Sequence, residues 1–339
     1  MTQSRLIEIS PVTRVEGHGK VTIHLDHNNV VDEARLHIVE FRGFERFIRG
    51  RLLWEVPVIV QRLCGICPVS HHLAAAKAMD QIVGVDVLPP TAEKMRRLMH
   101  YGQVMQSHVL HFFHLSAPDL LFGFGAPAAK RNIFEVIREN PELGLRAVLM
   151  RKFGQEIIEA TAGKKIHGTG AIPGGINRNL DIATRDRLLA DVEKMLVWAQ
   201  DALAIARNYV QDHAALVADF GTFPSNHMAL VREGDGALDL YHGRMRAVDK
   251  TGAPIFDMLD YNDYHKVLVE DVRSWSYMKF PFIRDLGPDA GWYRVGPLAR
   301  MNTANFIDTP LANDAHQALR AFSGGMNHST LANHWARMI

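Results

Sequence analysis

Only two cysteines, Cys64 and Cys67, occur among 339 residues, and both lie in one segment, Arg62-Leu63-Cys64-Gly65-Ile66-Cys67-Pro68-Val69-Ser70-His71. Two thiols cannot build a disulfide framework, so the fold must be held by a buried apolar core. A chain of this length buries roughly 75% of its unfolded surface. Its 47% hydrophobic and 22% charged residues are the balance of a globular protein. A CxxC pair in a chain whose start, Met1-Thr2-Gln3-Ser4-Arg5, shows no signal-like apolar block points to metal or redox chemistry and to the cytoplasm. The 38 Lys+Arg and 37 Asp+Glu leave a net charge of +1, which supplies no attraction to nucleic acid or an anionic membrane. No run approaches the ~20 apolar residues that membrane insertion requires.

The hydrophobic pattern predicts an α+β fold, mainly α. Residues 6–10, 19–26 and 30–39 read as a small antiparallel sheet within the N-terminal region 5–40, with Arg14-Val15-Glu16-Gly17-His18 in a bend and His27-Asn28-Asn29 in a turn. A helical body follows over 41–339. Helices are expected at 68–83, opened by Pro68 and stopped at Gly84, and at 92–117, 142–161, 182–219, 311–322 and from Ser329. Short strands are expected around 238–249 and 292–296. No repeat or linker divides the chain, which reads as a single domain over 1–339.

If Pro68 begins a helix, Cys67 is its N-cap and Cys64 lies in the turn before it. Unpaired amide N–H groups and the helix dipole there favour thiolate, the form that binds soft metals. Gly65 is expected to let the turn close so that both sulfurs face one point. A structural zinc site would need a second pair of Cys or His ligands, and the 18 histidines offer no convincing one. A thioredoxin-like dithiol would need a strand before the pair, and the flanks are helical. Two inert core thiols would leave the Gly65 and His71 context unexplained. His108, His111 and His114 recur at i, i+3 and i+6, either as a separate metal site or, better, as hydrogen-bonded packing histidines.

Taken together the landmarks resemble the large, catalytic subunit of nickel–iron hydrogenases. Arg14-Val15-Glu16-Gly17-His18, Phe41-Arg42-Gly43-Phe44-Glu45, Arg62-x-Cys64-Gly65-x-Cys67-x-x-x-His71, His108-x-x-His111-Phe112-Phe113-His114-Leu115-x-Ala117-x-Asp119, Gly163-x-x-x-His167 with Pro173-Gly174-Gly175, and Val295-Gly296-Pro297-Leu298-Ala299-Arg300 stand in the family's order. The wording after Cys67 looks most like the cytoplasmic, NAD-linked bidirectional branch. The resemblance implies a nickel held by four thiolates, two of them shared with an iron that carries diatomic ligands. Cys64 would be a terminal nickel ligand, Cys67 a nickel–iron bridge and Glu16 the proton relay. It implies that His71 hydrogen-bonds a bridging sulfur, that Arg62 orients the cysteine loop and that Asp119 belongs to the polar canopy. Glu45 would be a ligand of a separate magnesium. The activity implied is reversible heterolytic cleavage of H2. Electrons would pass to an iron–sulfur small subunit, with flavin and NAD on a diaphorase module, because this chain has neither further cysteines nor a G-x-G-x-x-G segment after a strand.

The family completes its centre with a second CxxC near the C-terminus, and no cysteine follows Cys67 here. Leu331 to Ile339 read as the first turns of a helix that stops in mid-pattern. The expectation is a longer subunit whose C-terminal segment is lacking from these residues. The alternatives are a non-catalytic scaffold related to respiratory NADH-dehydrogenase subunits, against which the intact cysteine box argues, and a metal-poor precursor form.

Overall fold

The computed structural model describes residues 5–339, so the signal-free reading of Met1-Thr2-Gln3-Ser4 lies outside the described residues. Three strands come first: β1 (Arg5–Ile9), β2 (Gly19–Leu25) and β3 (Val31–Ile38). Helices then dominate, with α1 (Phe44–Phe47), α2 (Val56–Val60), α3 (Pro68–Ile82), α4 (Pro90–Val109), a π-helical stretch at Leu110–Ser116, α5 (Ala117–Phe122), α6 (Ile133–Glu139) and α7 (Pro141–Ala162). A short hairpin, β4 (Ala171–Ile172) and β5 (Gly175–Ile176), leads to the long α8 (Ile182–Asp212) and to α9 (Ala214–Asp219). Next come β6 (Asn226–Val231), β7 (Arg244–Val248), β8 (Pro254–Leu259), α10 (Tyr264–Val267), β9 (Leu268–Val272), β10 (Lys279–Ile283), α11 (Gly287–Ala290) and β11 (Tyr293–Arg294). Helices α12 (Pro297–Thr303), α13 (Pro310–Ser323) and α14 (Ala332–Met338) close the order. The fold is α+β and mainly α, as the pattern predicted.

The chain divides into two compact units. One joins the N-terminal part through Phe44 to Pro224–Ile307; the other joins Glu45–Phe223 to Asp308–Ile339. In the first unit β1, β2 and β3 form an antiparallel sheet with Arg5 opposite Leu25 and Gly19 opposite Ile38. A second sheet runs β11-β6-β7-β8, with β11 parallel to β6, over a core of Met228, Met245, Ala247 and Ile283. The discontinuous pieces are tied by His37, whose Nδ1 donates to the Trp275 carbonyl at 2.7 Å while Nε2 faces the Thr22 hydroxyl at 2.8 Å.

This region holds more strand than its Gly-, Pro- and Asn-rich composition suggests. The expected 238–249 strand is Arg244–Val248, and β6, β8, β9 and β10 were not legible. Pro254 and Pro281 blur the alternation, and these strands exist because a neighbour supplies the ladder bonds.

In the second unit α4 and α7 cross at van der Waals contact through two glycines. A Cβ on Gly154 would lie 2.7 Å from the Gly102 carbonyl oxygen and 2.8 Å from Gln106 Cβ. The predicted helix 92–117 is interrupted by the π-helical stretch, where the Ala117 N–H reaches back five residues to the Phe112 carbonyl just before Pro118, which has no N–H. The predicted helix 182–219 breaks at His213, whose Nδ1 donates to the Tyr209 carbonyl at 2.9 Å. Ser329 and Thr330 do not start a helix, because their hydroxyls donate to the Val217 and Gly221 carbonyls.

A buried ion pair locks this unit. Arg96, fully buried on α4, donates to both carboxylate oxygens of Asp80 on α3 at 2.6 and 3.2 Å and to the carbonyls of Ile172 and Gly175. The Gly174 N–H adds a further bond to Asp80 at 2.7 Å. Every donor has an acceptor, the condition under which a buried pair holds rather than weakens a fold.

Candidate metal centre

The CxxC segment forms the turn between the 3₁₀ residues Gln61–Leu63 and α3. Cys67 is the N-cap and Pro68 occupies the first turn, as its fixed φ and missing N–H dictate. Cys64 is extended and buried; Cys67 is half-buried. Cys64 Sγ accepts the N–H of Ile66 at 3.3 Å and of Cys67 at 3.1 Å. A sulfur that collects two backbone donors while making a tight turn is held in a fixed place as an acceptor, which suits a metal ligand. Gly65 is not what closes this turn. Its φ lies outside the left-handed region, and a Cβ there would meet nothing within 4 Å.

Side chains from other segments hold the loop, and of these only His167 stood in a sequence landmark. Gln103 and Gln106, one turn apart on α4, both donate Nε2 to the Ile66 carbonyl, at 3.0 and 2.9 Å. His167 Nε2 lies 3.3 Å from the Cys64 carbonyl, with its own backbone at φ 57°. His72 is fully buried and acts as a bridge: Nδ1 donates to the Pro57 carbonyl and Nε2 accepts the Ala171 N–H, both at 3.0 Å. That tautomer requires a neutral ring, and burial pushes its pKa down. The neighbouring His71, a predicted site residue, is half-buried, and its ring has no protein hydrogen-bond partner among the described residues. Burial lowers its pKa as well.

The other predicted residues lie on different elements of the chain. Arg62 is exposed and donates along its own segment to the Val58 carbonyl at 3.3 Å. Glu45 is exposed on α1. Asp119 lies in the first turn of α5 and accepts from Arg131 at 3.1 Å. Glu16 is exposed in the bend between β1 and β2, in the first unit. His108 Nδ1 donates to the Arg337 carbonyl at 2.9 Å, and His111 Nδ1 faces the Ser116 hydroxyl at 3.1 Å. The His111 ring lies 5.8 Å from that of His334. Burial, with Arg337 adding repulsion, lowers the pKa of His111 to about 4, and burial lowers that of His334 to about 4. His108 and His111 are packing histidines with hydrogen-bonded rings, whereas Nδ1 of His114 and of His334 is buried with no hydrogen-bond partner among the described residues. Among the described residues no group of three or more His, Cys, Asp and Glu could hold a metal ion.

Residues 42–129 match the family described as nickel-dependent hydrogenase, and residues 6–41 match the HoxL-like family. The beta subunit of the NAD-reducing hydrogenase HoxS of Cupriavidus necator is 48% identical over 99% of this chain and 71% of that protein. The chain belongs to the nickel-dependent hydrogenases. An F420-non-reducing hydrogenase subunit of Methanothermobacter thermautotrophicus is 42% identical over 98% of the chain and 70% of that protein. The crystal structure of an NAD+-reducing [NiFe]-hydrogenase in the H2-reduced state superposes with a TM-score of 0.96 at 56% identity, covering 98% of this chain and 74% of that one. This hydrogenase subunit is therefore of the large, catalytic kind, and its similarity extends to NAD-reducing members.

The residues present fit a nickel–iron centre as one half of a thiolate donor set. Cys64 and Cys67 lie three residues apart on a turn braced from outside, and polarisable sulfur suits a metal that changes oxidation state. Among the described residues of this hydrogenase no helix is long and apolar enough to cross a membrane.

Proposed function

We propose that in this hydrogenase Cys64 is a terminal nickel ligand and Cys67 a ligand shared between nickel and iron. The observation that carries this reading is the Cys64–Cys67 turn, with two backbone donors on Cys64 Sγ and buried glutamines behind it. When bound, the centre supplies a thiolate-ligated, redox-active metal pair at which H2 is split heterolytically.

The protein's part is to hold the sulfurs and to remove the proton. Glu16, an exposed carboxylate in the bend, serves as the proton relay. His71, with no partner among the described residues, hydrogen-bonds a bridging thiolate, Arg62 orients the cysteine loop and Asp119 belongs to the polar canopy over the metals. Glu45 is assigned to a magnesium site. Electrons leave to an iron–sulfur small subunit, and the similarity to NAD-reducing hydrogenases supports onward transfer to NAD through a diaphorase module. The cytoplasm, where NAD is available, is the compartment that fits.

The test is Glu16→Gln in the metal-loaded hydrogenase. Nickel and iron contents should be unchanged while H2-driven reduction of an artificial dye falls by roughly 10²–10⁴-fold. Undiminished dye reduction would remove Glu16 from the relay.

A further inference from the structure

The peptide unit between Ile66 and Cys67 is bonded at both ends in an unusual way. Its carbonyl receives two side-chain donors, Gln103 Nε2 at 3.0 Å and Gln106 Nε2 at 2.9 Å. Its N–H, that of Cys67, donates to Cys64 Sγ at 3.1 Å. The amide orientations are fixed by chemistry, because a carbonyl oxygen accepts only a donor and the Nε2 ends must face it. Both glutamines are buried, at 2 and 3% exposure.

One donor would satisfy this carbonyl. The second comes from Gln103, whose own Oε1 is buried without a partner. Leaving an acceptor unsatisfied in the core opposes stability, so the second donor is not accounted for by holding the loop alone. Its effect lies across the amide. The C–N bond is conjugated, so donors on the oxygen withdraw density from the nitrogen and strengthen the N–H as a donor. That N–H points at a candidate metal sulfur. Hydrogen bonds to ligating sulfur drain charge from it and stabilise the reduced metal, which raises its potential.

We propose that Gln103 and Gln106 are positioning residues that set the electron-donating power of the Cys64 sulfur through the Ile66–Cys67 peptide. This rests on the assignment of Cys64 as a nickel ligand. The pair acts as one unit because α4 presents both at the same carbonyl. Room for Gln106 depends in turn on Gly154 of α7, where a Cβ would meet Gln106 Cβ at 2.8 Å.

The test replaces each glutamine by methionine, which keeps the volume and removes the donor. Gln103→Met, Gln106→Met and the double variant are compared in the metal-loaded hydrogenase by nickel content and by a redox titration followed by electron paramagnetic resonance. Nickel should be retained, and the midpoint potential should move to more negative values, further in the double variant than in either single one. In the metal-free protein, hydrogen–deuterium exchange over residues 64–68 should accelerate by about tenfold, while exchange in the remainder of α3 stays as it was. An unchanged potential with nickel in place overturns the proposal even if exchange accelerates, since a purely structural clamp would do only that. Should the double variant fail to fold, the single variants decide. Loss of nickel from both singles makes the pair a structural clamp and likewise overturns the proposal. Nickel retention in Cys64→Ser is the separate result that would remove the ligand assignment beneath it.

Discussion

The Cys64–Cys67 turn and the Arg14–His18 bend were both picked out by their residues, yet they are built in opposite ways. In the turn, buried side chains from α4 and the His167 segment grip the backbone on either side of the sulfurs. In the bend, Glu16, Gly17 and His18 are exposed, Arg14 and Gly17 sit at φ 55° and 78°, and the His18–Glu40 contact of 2.5 Å lies in solvent. The proposed roles give a reason for the difference: a metal ligand is best held before the metal arrives, by a loop that buried side chains fix, whereas a proton carrier must exchange with its surroundings.

The sharpest way to break this comparison is Cys64→Ser. If Cys64 is the nickel ligand proposed above, its loss should reduce nickel content to background, measured by elemental analysis, and full occupancy would remove Cys64 from the centre. Next comes Asp80→Asn, which leaves the fully buried Arg96 guanidinium without a counter-charge. It should cost about 3–5 kcal/mol in urea unfolding, because the fully buried guanidinium is left with an uncompensated charge. A loss under about 1 kcal/mol would mean that water reaches Arg96 and that the turn is less dry than its bonds imply.

Acid should act on the same unit. The His334 pKa is lowered from the ordinary 6.5 to about 4, chiefly by burial. The folded state therefore keeps the ring neutral while the unfolded chain takes up a proton. Stability is complete above about pH 7 and falls as pH drops from 6.5 towards 4, by at most about 1.4 kcal/mol per pH unit for this group. His334→Leu should flatten that slope in pH-dependent unfolding; an unaltered slope would assign the acid sensitivity elsewhere. The smallest effect belongs to the bend. Glu40→Gln removes a solvent-exposed partner of His18 and should change thermal stability by less than about 1 kcal/mol. A larger loss would make the bend as rigid as the turn and end the contrast.

Local signals made much of this molecule legible. Pro68, Pro141 and Pro310 mark first turns, and Gly84, Gly163 and Gly324 lie just beyond the ends of their helices with positive φ. The β1–β3 sheet followed its alternation. The cysteine pair and the order of the landmarks announced the family. The bonds that finish the site were invisible because nothing local encodes them. Gln103 and Gln106 meet the Ile66 carbonyl across 37 and 40 residues, and His72 meets Ala171 across 99. His71 drew notice for its spacing from Cys67, whereas His72 carries the bridge.

What the sequence determined by itself was thus the set of elements with their own start and stop chemistry, the cysteine pair at a helix N-terminus, and membership of a hydrogenase family. What only the tertiary structure decided was which buried donors hold the pair, that Gly65 is not the residue closing its turn, and that β8, β9 and β10 are strands at all. The reason is physical. A cap, a proline or an alternating face is satisfied within a few residues, whereas a strand without clear alternation or a buried amide is settled only when a distant segment supplies the partner for its hydrogen bonds.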